Sequence, residues 1–105
     1  MSVLKITKDN FEELVTKNEK VVLLDFWAPW CGPCRMVSPV VDEIGEEATA
    51  FAVGKVNVDE EPGLAQQFGV MSIPTLVVVK GGQVVRQEVG AKPKVQIEAM
   101  VKEYL

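Results

Sequence analysis

The sequence predicts an α/β fold, a mixed β-sheet with helices on both faces, in the order β-α-β-α-β-α-β-β-α. Short apolar or alternating stretches trade places along the chain with segments whose hydrophobic residues fall at helical spacing. Strand–helix–strand units of this kind pair in parallel through right-handed crossovers. Lys80-Gly81-Gly82-Gln83 lies between two short strand-like runs, a hairpin signal that makes the last strand pair antiparallel. At 105 residues, 48% hydrophobic and 25% charged, the chain is long and apolar enough for one core. With no repeat, linker or low-complexity tract, residues 1–105 are expected to form a single domain.

Val3 to Thr7 alternates and reads as a strand at or near a sheet edge. Thr7 or Asp9 can cap the helical segment that carries Phe11, Leu14 and Val15. Residues 21–28 are almost continuously apolar, as in a buried strand. The helix at about 33–48 follows, with Val37, Val40, Val41 and Ile44 on one face and Pro39 inside it. Phe51 to Asp59 is apolar enough for an inner strand, although Gly54 within it is expected to loosen it locally. Glu60-Glu61-Pro62 opens a short helix ended by Gly69, and Val70 to Pro74 connects it to the strand Thr75–Val79. The Gly81-Gly82 turn, also expected to be loose, leads to a strand at Val84–Val89. Gly90 to Pro93 turns into a last helix with Ile97, Met100, Val101, Tyr104 and Leu105 on one face.

The formal charge of −4 and the lack of a basic run argue against nucleic-acid binding. No apolar run approaches the roughly 18 residues of a membrane helix. Met1 to Lys5 lacks the apolar core of a secretory signal, so a cytoplasmic location is expected. Two cysteines are too few for a disulfide scaffold.

Those two cysteines, Cys31 and Cys34, have the spacing of a C-x-x-C redox or metal element, placed where a strand ends and a helix begins. Pro33, with a fixed φ and no N–H, suits a first helical turn. Unpaired N–H groups and the positive end of the helix dipole stabilise a thiolate there. Cys31 is the better placed of the two and is expected to be exposed and nucleophilic, with Cys34 more buried and resolving. The alternatives are half a zinc site or two inert core cysteines. A structural zinc site takes four ligands, and this chain has no histidine and no third cysteine. Asp25 interrupts the buried strand. It is either a surface-facing residue or a buried carboxylate whose raised pKa makes it a proton acceptor near neutrality.

The run DFWAPWCGPCR resembles the active-site signature of the thioredoxin family, and the similarity extends over essentially the whole chain. The resemblance implies that family's fold, a central mixed sheet of five strands flanked by four helices, and supplies a strand order that the pattern does not. It implies that Asp25 lies beneath the dithiol and assists proton transfer at Cys34, and that Lys55 pairs with Asp25; the plain alternative for Lys55 is a solvated strand lysine. It implies that Pro74 is cis, packs against the sulfurs, leaves the Ile73 backbone free for an extended substrate segment and fills the space where a metal would bind. Trp27 supports the motif. Trp30, expected to be partly exposed, joins Gly32, Pro33, Ile73, Gly90 and Ala91 in the family's flat apolar docking face. Met71 and Tyr104 read as packing residues, and Glu46-Glu47 and Glu60-Glu61 as solvated surface.

The expected function is therefore general protein disulfide reduction through Cys31 and Cys34. The partners would be disulfide-containing substrate proteins and a thioredoxin reductase, since the chain has no glycine-rich dinucleotide fingerprint. A monomer is expected, with no cofactor, no metal, no nucleic acid and no membrane. Gly32-Pro33 matches the reducing members of the superfamily. The competing readings are a non-catalytic interaction module using the apolar face, a disulfide oxidant or isomerase, and a metal site shared between two chains.

Overall fold

The computed structural model describes residues 3–105. Five strands form one sheet: β1 (Leu4–Lys5), β2 (Val21–Trp27), β3 (Phe51–Asn57), β4 (Thr75–Lys80) and β5 (Gln83–Val89), in the order β1-β3-β2-β4-β5. β1 and β2 run parallel to β3, whereas β4 is antiparallel to both β2 and β5. The sheet is mixed, as the sequence predicts. β2, apolar at every position but Asp25, occupies its centre.

Alternation along β2 divides the core in two. Val21 and Leu23 face α1 (Gly32–Glu47) and α3 (Lys94–Lys102), where Val37, Val41, Ile44, Val53, Leu76, Ile97 and Val101 close around them. Val22, Leu24 and Phe26 face the other way, onto Ile6, Val15, Val56, Val77 and α2 (Pro62–Gln67) through Leu64 and Ala65. Tyr104 packs against the first cluster, as its spacing suggests.

Three local expectations change. Only Leu4 and Lys5 of the stretch 3–7 pair as a strand, at the sheet edge. The segment Glu12–Thr16 is a single π-helical turn closed by the Lys17 N–H donating to the Glu12 carbonyl at 2.8 Å. Neither Thr7 nor Asp9 caps it. Instead the Asn10 side chain accepts from the Thr7 N–H at 2.8 Å and donates to the Lys5 carbonyl at 2.9 Å, which anchors the turn to β1. Gly54 does not loosen β3 either. A Cβ there would lie 2.6 Å from Ile6 Cγ1 and 3.3 Å from Leu24 Cδ2, so glycine lets Ile6 pack directly onto the sheet. The β4–β5 hairpin turns on Gly81 and Gly82, at φ +59° and +78°, the pair of positive values that a tight two-residue turn demands.

Candidate active site: the Cys31–Cys34 disulfide

β2 ends at Trp27, and the chain crosses Ala28, Pro29 and Trp30 before α1 begins. The Cys31 N–H donates to the Ala28 carbonyl at 3.2 Å, and the Arg35 guanidinium donates to the Pro29 carbonyl at 3.1 Å through Nη2, so the loop folds back against the first helical turn. Cys31 is the N-cap residue of α1, and its Sγ accepts from the Cys34 N–H at 3.2 Å. Sulfur thus occupies the place where a serine or aspartate oxygen would ordinarily satisfy a free helix N–H. Cys31 and Cys34 are joined as a disulfide, with their Cα atoms 5.3 Å apart.

The two cysteines do not divide into an exposed and a buried one as expected: Cys31 is 4% exposed and Cys34 2%. Ile73, 42 positions away in sequence, brings its carbonyl oxygen to 3.7 Å from Cys31 Sγ and packs on the cysteine cluster with Trp27 and Val58. The difference between the sulfurs is positional: Cys31 Sγ receives the helix N–H.

The Ile73–Pro74 peptide bond is cis and Pro74 is buried. The Pro74 carbonyl accepts from the Gly90 N–H at 2.8 Å, which brings Gly90 and the exposed Ala91 beside the 73–74 segment. The Ile73 N–H has no backbone partner among the described residues. Around the disulfide, Gly32, Pro33 and Trp30 lie at the surface, Trp30 at 66% exposure with its Nε1 donating to an Asp59 carboxylate oxygen at 3.0 Å. Met71, read from sequence as packing, is instead 96% exposed two positions before Ile73. The 70–74 connection belongs to no helix or strand, so periodicity offered no guide to it.

Asp25 lies on the α1 side of β2, two positions beyond Leu23, and is 1% exposed. Neither carboxylate oxygen has a hydrogen-bond partner among the described residues. Burial pushes its pKa from 3.8 up to about 7, with Lys55 pulling it down and Asp42 pushing it further up. Lys55 is in register with Asp25 across β2–β3, but the contact that the resemblance implies is not made. Lys55 Nζ donates to Ser38 Oγ at 2.5 Å and pairs with Asp42 Oδ1 at 2.8 Å, and it lies 5.9 Å from the Trp27 ring centroid. Its influence on Asp25 is exerted across space. Ser38, Asp42, Asp59 and Met71 escape a motif-based reading. The one available signal is that Ser38 and Asp42 stand four apart on α1, the spacing of one helix face.

A family model described as Thioredoxin matches residues 2–103. The chain is 48% identical over 106 residues to a protein named thioredoxin from Porphyra purpurea, covering 100% of this chain and 99% of that one. It is 48% identical over 105 residues to a thioredoxin from Alicyclobacillus acidocaldarius, covering 99% of each chain. With a thioredoxin from Streptomyces clavuligerus it shares 54% identity over 93 residues, 88% of this chain and 87% of the relative. With the disulfide capping a helix N-terminus in a five-stranded mixed sheet, these matches establish that the chain belongs to the thioredoxin family and is a protein thiol–disulfide oxidoreductase.

Proposed function

We propose that the chain acts as a single-domain, monomeric, general reductant of protein disulfides, with Cys31 as nucleophile, Cys34 as resolving thiol and Asp25 as proton acceptor. In the reduced protein the Cys31 thiolate attacks one sulfur of a partner's disulfide. The partner's S–S bond breaks, a Cys31–partner disulfide forms, and the other partner sulfur leaves as a thiolate. Cys34 then gives its proton to Asp25 and attacks Cys31 Sγ. The Cys31–Cys34 bond forms, the mixed disulfide breaks, and the second partner sulfur departs. Two electrons have passed to the partner, and the disulfide present in the structure is the oxidised end of the cycle. With the sulfurs only three positions apart, the second attack is intramolecular and correspondingly fast.

The observation that carries this reading is the Cys34 N–H donating to Cys31 Sγ at the first turn of a 16-residue helix. The same donor and the helix dipole would favour a thiolate on Cys31, while Cys34, inside the turn, gains less. Asp25, unpaired and titrating near 7, suits a group that must take a proton at neutral pH and release it again. Trp30, Gly32, Pro33, Ile73, Gly90 and Ala91 form the face on which substrate proteins dock, and the free Ile73 N–H can pair with an extended substrate segment. Trp27 and the cis Pro74 support that face from beneath. Re-reduction falls to a thioredoxin reductase in the cytoplasm.

The test is the redox midpoint of the Cys31–Cys34 pair, followed by tryptophan fluorescence in graded thiol–disulfide buffers. A reductase keeps its disulfide until the buffer is strongly reducing, so the midpoint should lie below about −200 mV. A midpoint near about −120 mV, where strong disulfide oxidants lie, would reverse the direction of electron flow.

A further inference from the structure

Asp25 is the only charged residue buried among the described residues, and the nearest cation in the sheet does not close on it. Lys55 stands in register with it on the adjacent strand, where a turn of the flexible side chain would bring ammonium and carboxylate together. Instead Nζ is taken up by α1, with Ser38 Oγ at 2.5 Å and Asp42 Oδ1 at 2.8 Å. Ser38 and Asp42 are separated by one helical turn, so their oxygens form a two-point cradle for a single ammonium. The cradle is shielded on its inner side, where the Lys55 side chain is 16% exposed, and open at Asp42, which is 53% exposed.

We propose that Ser38 and Asp42 are positioning residues that hold the Lys55 ammonium off Asp25, leaving that carboxyl free to receive the Cys34 proton. The inference rests on the reading of Asp25 as proton acceptor. A carboxylate already closed in an ion pair is a weak base. Parking the cation one helix face away keeps Asp25 basic enough to take a thiol proton, and Asp42 cancels much of the cation's remaining field. The charged groups acting on Asp25 are Lys55 from β3 and Asp42 from α1; β4 and α3 contribute apolar side chains to this layer, Leu76 and Ile97 among them.

Replacing Asp42 removes a negative charge and frees a positive one to approach Asp25, and both changes lower the proton affinity of Asp25. Replacing Lys55 acts in the opposite sense. The experiment follows the Asp25 carboxyl carbon resonance against pH in the oxidised full-length protein, alongside the pH profile of insulin disulfide reduction. In D42A the Asp25 midpoint should drop by on the order of one pH unit, and in S38A by less. D42E should restore it, and K55M should raise it. Measured against K55M, the D42A/K55M double variant should show only the smaller drop that comes from losing the Asp42 charge itself, because no ammonium remains to swing inward. A loss of packing alone would change thermal stability and leave these midpoints in place. An unchanged or raised midpoint in D42A, or a drop from K55M to the double variant as large as the drop from wild type to D42A, overturns the proposal. If the midpoints move as stated while the acid limb of insulin reduction stays fixed, the cradle stands and the role of Asp25 in the reaction falls.

Discussion

Asp25 and Phe26 are neighbours in β2, both are at most 1% exposed, and they point to opposite faces of the same sheet. Phe26 enters a wholly apolar layer, with its ring centroid 5.2 Å from that of Phe68, which in turn meets Phe11 edge-on at 5.6 Å. Burying such a side chain stabilises the fold by about 1.5–3 kcal/mol. Asp25 enters a layer that begins apolar at Val21 and Leu23 and ends at a disulfide. Its carboxyl titrates at about 7 in the folded protein against 3.8 in the free side chain. Below the lower value both states hold the proton and folding is not penalised. As pH rises from about 4 to 7 the unfolded chain ionises while the folded one does not, so stability falls, and above 7 the full cost, roughly 4 kcal/mol, is present. One face of the strand serves the fold, and the other gives up stability to bury an ionisable carboxyl.

Substitutions at the two faces should therefore behave oppositely. The largest effect is expected for Cys31→Ser, which removes the nucleophile and should reduce turnover to background with the fold retained, as checked by insulin reduction and circular dichroism. Asp25→Asn mimics the protonated acid. It should stabilise the protein at pH 8 by up to roughly 4 kcal/mol and by little at pH 4, measured by urea denaturation at the two pH values. The same variant should slow release of the partner by about 10²–10⁴-fold, seen as accumulation of the mixed disulfide in quenched reactions. A variant neither more stable at pH 8 nor slower would end the distinction between the faces. Phe26→Ala should cost about 3–5 kcal/mol at every pH while leaving turnover per folded molecule intact.

Much of this division could be read from the chain. An aspartate within an otherwise apolar strand, six positions before a C-x-x-C pair, stands out by itself, and helical spacing from Val37 to Ile44 predicts α1, while the side of the sheet it covers comes from the packing. The glycine pair at 81–82 identifies the hairpin, since few other residues accept two positive φ values in succession. Other features depend on distances that no local pattern encodes. The burial of Cys31 comes from Ile73, carried in by a loop from the far side of the sheet. The partners of Lys55 depend on how α1 is rotated about its axis and on the reach of one long side chain. The turn at 12–16 shows the same apolar spacing whether its hydrogen bonds close over four residues or five.

Smaller effects sharpen the comparison at its edges. Gly54→Ala places a methyl group against Ile6 from the Phe26 side, so it should cost about 1–3 kcal/mol by overpacking with no shift in the Asp25 titration. Trp30→Ala lies beyond both layers. Its indole is held to the fold by a hydrogen bond to Asp59 at the surface, so stability should change by less than about 1 kcal/mol. The apolar ring is available to a partner both before and during sulfur exchange, so its loss should remove binding common to the ground and transition states. The expected signature is a rise of about tenfold in KM for insulin with kcat nearly constant. A fall in kcat at unchanged KM would instead assign Trp30 to the exchange step, and the boundary between docking face and reacting centre would then run through the loop that caps α1.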